Sequence, residues 1–419
     1  MRKNLFIGDN LPVLRNMQSE SVDLIYLDPP FNSGKQWGNP IKAEGRKAEV
    51  AFKDTWSLGD IHADEELELF HYAKDAIPLI NSLHKINGGS WRAYLIYMGV
   101  RLAEMRRILK ESGTIYYHCD PVMSHGVKLL MDSIFGKGNF RNEIIWCYSG
   151  GGVSKQDFPR KHDVILRYTK YKNWIHNVEY KPYKENTQQV GKHSTYSGGQ
   201  DIDLERGTPI TDWWTDIKTA TGWSKERTGY PTQKPLALLE RIIRASSNNG
   251  DVVLDPFCGC ATACIAAERL RRQWIGIDLS EKAEYFIRDR ITKESLGLIE
   301  GVYEVNPKQE RRTDLEKLDK NAVKNNLYAK DKTCAGCQKK KDLEDMDLDH
   351  IVAKTRGGQD EWRNFQLLCR QCNTSKGGKG MTEWRSDLMQ RRIDEFAKLQ
   401  VLNDQKWLAQ QQAKRRVQK

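Results

Sequence analysis

Apolar residues in the first 295 positions fall into short unbroken runs, and most runs are followed by a stretch with helical spacing. NLFIG and VDLIYLD read as buried strands, with LPVLRNM as a helix between them. WRAYLIYMGVRLAEMRRILK at 91–110 predicts a helix, and GTIYYHCD at 113–120 a strand opened by Gly113. Residues 121–135 predict a helix and NEIIWCY at 142–148 another strand. Alternation resumes with PLALLERIIRASS (helix), DVVLDPF (strand), ATACIAAERLR (helix), QWIGIDLS (strand) and a helix over 281–293. Strand-helix alternation of this kind predicts an α/β fold with a mostly parallel sheet.

The pattern breaks in three places. Residues 149–228 are rich in Gly, Lys, Tyr, Trp, Thr and Asn and lack a clean period, which in a stretch this long points to function or mobility. Residues 296–330 turn polar and charged and read as a linker with some helix. After a cysteine-bearing module at 331–380, residues 381–415 read as one amphipathic helix, and 381–419 close on a basic end. No internal repeat is evident.

Composition narrows the class. A chain of 419 residues with 39% hydrophobic and 29% charged residues suits a soluble protein of two or three domains. The net charge of +11 favours a polyanionic partner, nucleic acid above all. No apolar run is long enough to span a bilayer, and MRKNLFIGDN is too short in apolar length for a signal peptide, so no membrane association and a cytoplasmic location are expected. Five of the nine cysteines are scattered and four are clustered, which argues against a disulfide framework and for metal in the cluster.

VDLIYLD ends in Asp28-Pro29-Pro30-Phe31. Two prolines cannot continue a sheet ladder, so the strand stops there, and a carboxylate and a ring stand on a stiff edge. Taken alone, that is also a plain turn. DVVLDPFCGCATACIAAE at 251–268 is strand, glycine turn and helix. Gly259 lets backbone approach a ligand, and the helix start offers unpaired N–H groups. WIGID ends the next strand at Asp278, where a carboxylate can accept from ribose hydroxyls. This pattern fits a nucleoside cofactor, a nicotinamide one included.

In combination these residues carry a resemblance. Asp255-Pro256-Phe257-Cys258-Gly259 with Asp278, and Thr232-Gln233-Lys234-Pro235 upstream, resemble the S-adenosylmethionine (SAM) motif of amino-methylating DNA methyltransferases. Asp28-Pro29-Pro30-Phe31 resembles their catalytic motif, and the order of the two is similar to that of the β group. The resemblance implies a Rossmann-like methyltransferase over residues 1–295: a catalytic part at 1–148, a target recognition region at 149–228 and a SAM-binding part at 229–295. It implies cofactor contacts from Asp9, Lys234, Asp255, Phe257, Gly259, Thr262 and Asp278. The family commonly continues Gly-Ser-Gly-Thr-Thr; here Gly259-Cys260-Ala261-Thr262-Ala263 puts a methyl at the second glycine.

By the same resemblance, Asp28 and the Pro29 carbonyl accept the two N–H bonds of an exocyclic base amine. Phe31 stacks on a base flipped out of double-stranded DNA, and Pro29 and Pro30 keep the edge rigid. Asp at the first position leans toward adenine, with amino-cytosine open. His118 and Asp120 end a strand near this cleft and read as structural.

TCAGCQ and LCRQCN set Cys334, Cys337, Cys369 and Cys372 as a pair of Cys-x-x-Cys knuckles, a spacing that suits structural zinc. Leu348-Asp349-His350 between them, with Asn364 and Asn373-x-x-Lys376, resembles the zinc-held ββα form of HNH nucleases. The resemblance implies His350 as general base and Asp349 and Asn373 as holders of Mg2+ or another divalent ion. It implies Asn364 as a loop brace and Lys376 as a phosphate contact. The expectation is a DNA adenine-amino methyltransferase joined to an HNH domain, in a restriction-modification or phage setting. The alternatives are an orphan methyltransferase whose zinc module only anchors DNA, and, disfavoured by motif order, RNA or protein methylation. Oligomeric state stays open, a homodimer included.

Overall fold

A computed structural model of the chain describes residues 3–38, 50–61, 63–149, 155–183, 205–220, 224, 226–228, 230, 232–294, 303–309, 312, 319–356, 358–361, 364–379, 383–384 and 387. The chain divides into two units, Met1–Ile61 with Leu69–Asp314, and His62–Glu68 with Leu315–Lys419. Up to the middle of the chain the elements are β1 (Lys3–Ile7), α1 (Asn10–Asn16), β2 (Val22–Leu27), β3 (Lys35–Gly38), β4 (Val50–Asp54), α2 (Ala63–Tyr72), α3 (Ala76–Asn87), α4 (Gly89–Ile108), β5 (Leu109–Cys119), α5 (Ser124–Phe135), β6 (Phe140–Cys147) and β7 (His162–Thr169). There follow β8 (Tyr180–Lys181), β9 (Thr208–Pro209), β10 (Trp213–Trp214), α6 (Leu236–Ser246), β11 (Val252–Asp255), α7 (Thr262–Arg269), β12 (Gln273–Asp278), α8 (Lys282–Glu294) and β13 (Glu304–Val305). The second unit adds α9 (Lys320–Lys330), β14 (Met346–His350), β15 (Phe365–Cys369) and α10 (Arg370–Lys376).

The first unit is built on a nine-stranded sheet in the order β10-β6-β7-β5-β2-β11-β12-β1-β13. Its pairings are parallel except those of β7, which runs antiparallel to both β5 and β6. All six residues of β2 are buried, as expected of a strand covered on both faces. Successive side chains leave the sheet on opposite faces. Ile25 and Leu27 enter a core with residues of α3, α4 and α5, whereas Leu24 and Tyr26 enter one with residues of α6 and α7. β2 pairs β11 in parallel through Val253–Leu24 and Leu254–Ile25. The two proline-bearing motifs, over 200 residues apart in sequence, therefore emerge side by side at the carboxyl edge of the sheet.

Several elements differ from the sequence expectation. β5 starts at Leu109, so Gly113 lies inside the strand, where a Cβ would meet the Leu109 side chain at 2.6 Å and Asp23 O at 3.0 Å. β7 sits in the segment read as aperiodic, yet it is a central strand of the sheet. β13, in the stretch read as linker, joins the sheet edge beside β1. The β3–β4 hairpin and helices α2 and α3 carry no counterpart in the sequence reading. The helix expected over 381–415 lies outside the described residues apart from 383, 384 and 387, as do 150–154, 184–204, 221–223 and 225 of the expected recognition region.

In the second unit β14 and β15 form an antiparallel pair in register Met346–Cys369 to His350–Phe365, and α10 follows directly. Its core is small: Cys334, Met346, Leu367, Leu368 and Cys369 are buried together, with Leu327 and Tyr328 of α9 against them. No helix among the described residues is long and apolar enough to cross a membrane.

Candidate active sites

The carboxyl ends of β2, β11 and β12 open on a cavity of about 590 Å³. Asp28, Pro29, Pro30, Phe31, Lys234, Asp255, Phe257, Gly259, Thr262 and Asp278 all line it, so the sheet brings the residues singled out in the two motifs to one wall. Asp28 accepts from Lys234 Nζ at 2.7 Å through Oδ2, while its Oδ1 is buried with no hydrogen-bond partner. Lys234, expected on the cofactor, thus sits on the catalytic-motif carboxylate, and its ammonium also lies 5.3 Å from the Phe31 ring centroid. Asp9 is not among the lining residues. It caps α1 through Leu11 N at 3.0 Å and pairs with Arg101 at 2.9 Å. Burial opposes its ionisation, but Arg101 and the Leu11 N–H hold its pKa below the usual carboxylate value. Its neighbour Asn10 reaches the cavity instead, donating to Pro256 O at 2.8 Å.

The glycine turn is tight. Gly259 adopts φ +50°, and a Cβ there would stand 3.0 Å from the Tyr230 ring. Its N–H donates to Asp278 Oδ2 at 2.7 Å, and Ser280 N–H to Asp278 Oδ1 at 2.8 Å. Burial raises the Asp278 pKa against those two donors, and pushes that of fully buried Asp255 well up. Ala261, where a glycine is common, takes φ +58°. A left-handed backbone costs an alanine about 1–2 kcal/mol. The turn still closes, with Ile265 N–H on Ala261 O at 3.0 Å starting α7.

Two supporting groups lay beyond sequence reasoning. Asp54, at the end of β4, accepts from Asn32 N at 2.6 Å and Ser33 N at 3.2 Å, clamping the loop that follows Phe31, with Asn32 at φ +59°. Nothing local in the sequence ties Asp54 to that loop; the hairpin does. Asp54→Ala is expected to lower kcat about tenfold to a hundredfold through misplacement of Phe31, with donor affinity nearly unchanged. Steady-state kinetics beside a donor-binding titration checks this; a variant that loses donor affinity in proportion would make Asp54 a fold residue only. The other group is a buried relay under Phe31. The His118 ring stacks at 6.3 Å and 19° to Phe31, its Nδ1 lies 2.9 Å from Tyr26 OH and its Nε2 3.0 Å from Asp163. Tyr148 OH donates to the other Asp163 oxygen at 3.0 Å. Burial opposes ionisation of Asp163, but His118, Lys234 and Tyr148 hold its pKa at about 2.

In the second unit the sulfurs of Cys334, Cys337, Cys369 and Cys372 all lie within 4.8 Å of one another. Cys334 Sγ accepts from Cys369 N at 3.2 Å and Gly336 N at 3.4 Å. A Cβ on Gly336 would stand 3.0 Å from Cys372 Sγ and 2.7 Å from the Trp384 ring, so the knuckle needs its glycine. Nearby, His350 Nε2 lies 2.7 Å from Asp360 Oδ1, and Lys354 donates to Asp360 Oδ2 at 3.0 Å. Burial opposes ionisation of Asp360, but Lys354 and His350 keep its pKa at about 2. Asn364 holds the connecting loop by accepting from Val352 N at 2.8 Å and donating to Gln359 O at 3.0 Å.

The two residues expected to hold a divalent ion are each bonded to other side chains. Asp349 takes Gln366 Nε2 at 2.9 Å and Lys376 Nζ at 3.0 Å, whereas Asn373 Nδ2 donates to Asp347 at 3.1 Å. Lys376, expected on phosphate, is buried and also donates to His350 O at 3.1 Å.

Comparison with known proteins agrees with this division. The DNA methylase family model matches residues 22–289, and the HNH endonuclease model matches residues 334–379. Among curated relatives, the type II methyltransferase M.HpaI of Haemophilus parainfluenzae is 27% identical over 297 residues, covering 71% of this chain and 76% of the relative. The type II methyltransferase M.EcaI of Enterobacter cloacae is 30% identical over 341 residues, covering 66% of this chain and 67% of the relative. The DNA adenine methyltransferase YhdJ of Escherichia coli K12 is 29% identical over 295 residues, covering 67% and 79%.

Proposed function

This chain belongs to the DNA methylase family and carries an HNH endonuclease domain, and on that premise we propose that it methylates the exocyclic amine of adenine in double-stranded DNA with SAM as donor. The observation that carries the reading is the buried, unpaired Oδ1 of Asp28 on the wall of the cavity shared with the Gly259 turn. SAM, when bound, supplies a methyl group activated by the sulfonium charge. The residues present fit it: the Gly259 turn is tight against the Tyr230 ring, Asp278 lines the cavity and could accept from ribose hydroxyls, and buried Asp255 could partner an ammonium.

The chain's own residues do the rest. A base amine is a poor nucleophile because its lone pair is delocalised into the ring. Asp28 Oδ1 and the Pro29 carbonyl accept its N–H bonds, which localises the lone pair and stabilises the positive charge that develops on nitrogen. Beside that acceptor, the Lys234 ammonium offers a donor. An acceptor next to a donor complements the amine and ring nitrogen on the Watson–Crick edge of adenine, an edge cytosine shares. Phe31 stacks on the extruded base, held by Asp54 from one side and the His118 ring from the other. Incubation with SAM and unmethylated DNA, followed by digestion and mass spectrometry, tests the proposal. N6-methyladenine is the expected product; N4-methylcytosine would move the assignment to the other base, and no methylated base would end it.

We propose for the second unit that the four cysteines hold a structural zinc ion and that His350, oriented by Asp360, is the general base of DNA cleavage. Asp349 and Asn373 are engaged with Lys376 and Asp347, so no step is drawn through a divalent ion. Plasmid incubated with magnesium or manganese should be nicked, and His350→Ala should reduce nicking about a hundredfold or more. Nicking that persists in the variant removes His350 from the reaction.

A further inference from the structure

Between β6 and β7 the described residues 155–161 form a loop rooted at the cavity rim. Tyr148 and Asp163, on either side of it, both line the cavity, and Tyr148 N–H donates to Lys161 O at 2.9 Å. Phe158 in this loop is 98% exposed, against 79% for Ile86, the next most exposed large hydrophobic residue among those described. Lys155, three positions before it, and Arg160, two after it, are exposed, as is the intervening acid Asp157. Pro159 disfavours the helical region for Phe158 and biases it toward extended backbone. A lone apolar residue on a surface is ordinary. An aromatic ring held wholly in water, on a loop that carries two exposed cations and whose flanking residues line the cavity, has a more specific use.

We propose that Phe158 is a wedge that enters the duplex at the target pair and fills the gap left by the extruded base, with Lys155 and Arg160 on the flanking phosphates. Extrusion costs the stacking and pairing of one base. An apolar ring placed between the neighbouring pairs restores part of the stacking, as intercalating side chains do in architectural DNA proteins. The two cations neutralise phosphates and bring the loop to the backbone without reading sequence. The wedge rests on the DNA methylation proposed above and names the group that makes its substrate accessible.

The test uses the full chain and duplex oligonucleotides carrying the site mapped by single-molecule sequencing of DNA from cells that express it. In one duplex the target base is paired; in the other it faces an abasic position, so extrusion is already easy. Phe158→Ala should slow methylation of the paired duplex about tenfold or more and change the abasic duplex less than about twofold, and Phe158→Trp should restore the paired rate. A Phe158→Ala rate equal to wild type on the paired duplex, or an equal loss on both duplexes, overturns the wedge. Wild-type protein that methylates neither duplex overturns the methylation reading and the wedge together, a result distinct from failure of the wedge alone. Because the ring is fully exposed, its removal leaves no cavity, and an unchanged melting temperature should accompany both variants.

Discussion

Asp28→Ala is expected to lower the methylation rate about a thousandfold or more while SAM affinity stays within about threefold of wild type. In the proposed reaction the residue acts on the amine and not on the donor: its unpartnered oxygen would be the acceptor that localises the lone pair, and its other oxygen holds Lys234. Truncation removes both effects and leaves a largely buried ammonium without its partner. Asp28→Asn separates the two. It keeps the volume and one acceptor oxygen, but its amide NH2 must face either the Lys234 ammonium or the substrate amine, and both are donors. The Asn variant should therefore also fall steeply, and Lys234→Gln in the same chain should recover part of the loss. Single-turnover rates with saturating donor, beside a calorimetric donor titration, read the outcome. An Asp28→Ala rate near wild type would take the carboxylate out of the chemistry, and an equal loss of donor affinity would make it a cofactor residue.

Removing zinc is expected to unfold the second unit. Among the described residues its buried hydrophobic cluster is five residues, with Ile351, Val352, Ala353, Phe365 and Trp384 buried outside it, a small core for a segment of this length. Structural zinc contributes about 10–16 kcal/mol in small domains of this kind, more than such a core supplies. Chelation, or Cys369→Ser, should abolish the cooperative unfolding of this unit and any nicking activity. Methylation should persist, because the first unit has its own two cores. Metal analysis should find close to one zinc per chain. Protein that carries none, and melts identically with and without chelator, would show that the cysteines form no metal site.

Some of this was legible in sequence because the information is local. A strand that ends in Asp-Pro-Pro-Phe, a strand followed by a glycine turn, and two Cys-x-x-Cys knuckles each declare themselves within a few residues. What stayed hidden depends on distant pairing. Asp54 reaches the Phe31 loop only because β3 and β4 fold back on each other, and the His118–Asp163 contact exists only because β7 lies against β5. β7 itself, HDVILRYT, carries a strand-like run, but the irregular residues on either side masked it. Asp9 has local roles that its position in sequence did not announce. Its place after β1 suits a cofactor contact, yet capping α1 and pairing with Arg101 occupy it. Lys234 lines the cavity, and its bond to Asp28 was not legible, since no spacing rule predicts an ammonium meeting a carboxylate from 206 residues away.

The adjacency of β2 and β11 also sets a schedule for synthesis. The chain makes its Asp-Pro-Pro-Phe edge within the first 31 residues, but the strand that must lie beside it ends at Asp255 and the next at Asp278. A ribosome-bound chain that stops short of Asp278 has half a pocket and an incomplete sheet whose exposed strand edge invites wrong pairing. Truncated products of this gene would be inert and prone to aggregate, and an N-terminal fragment should regain activity only when the missing strands are supplied in trans.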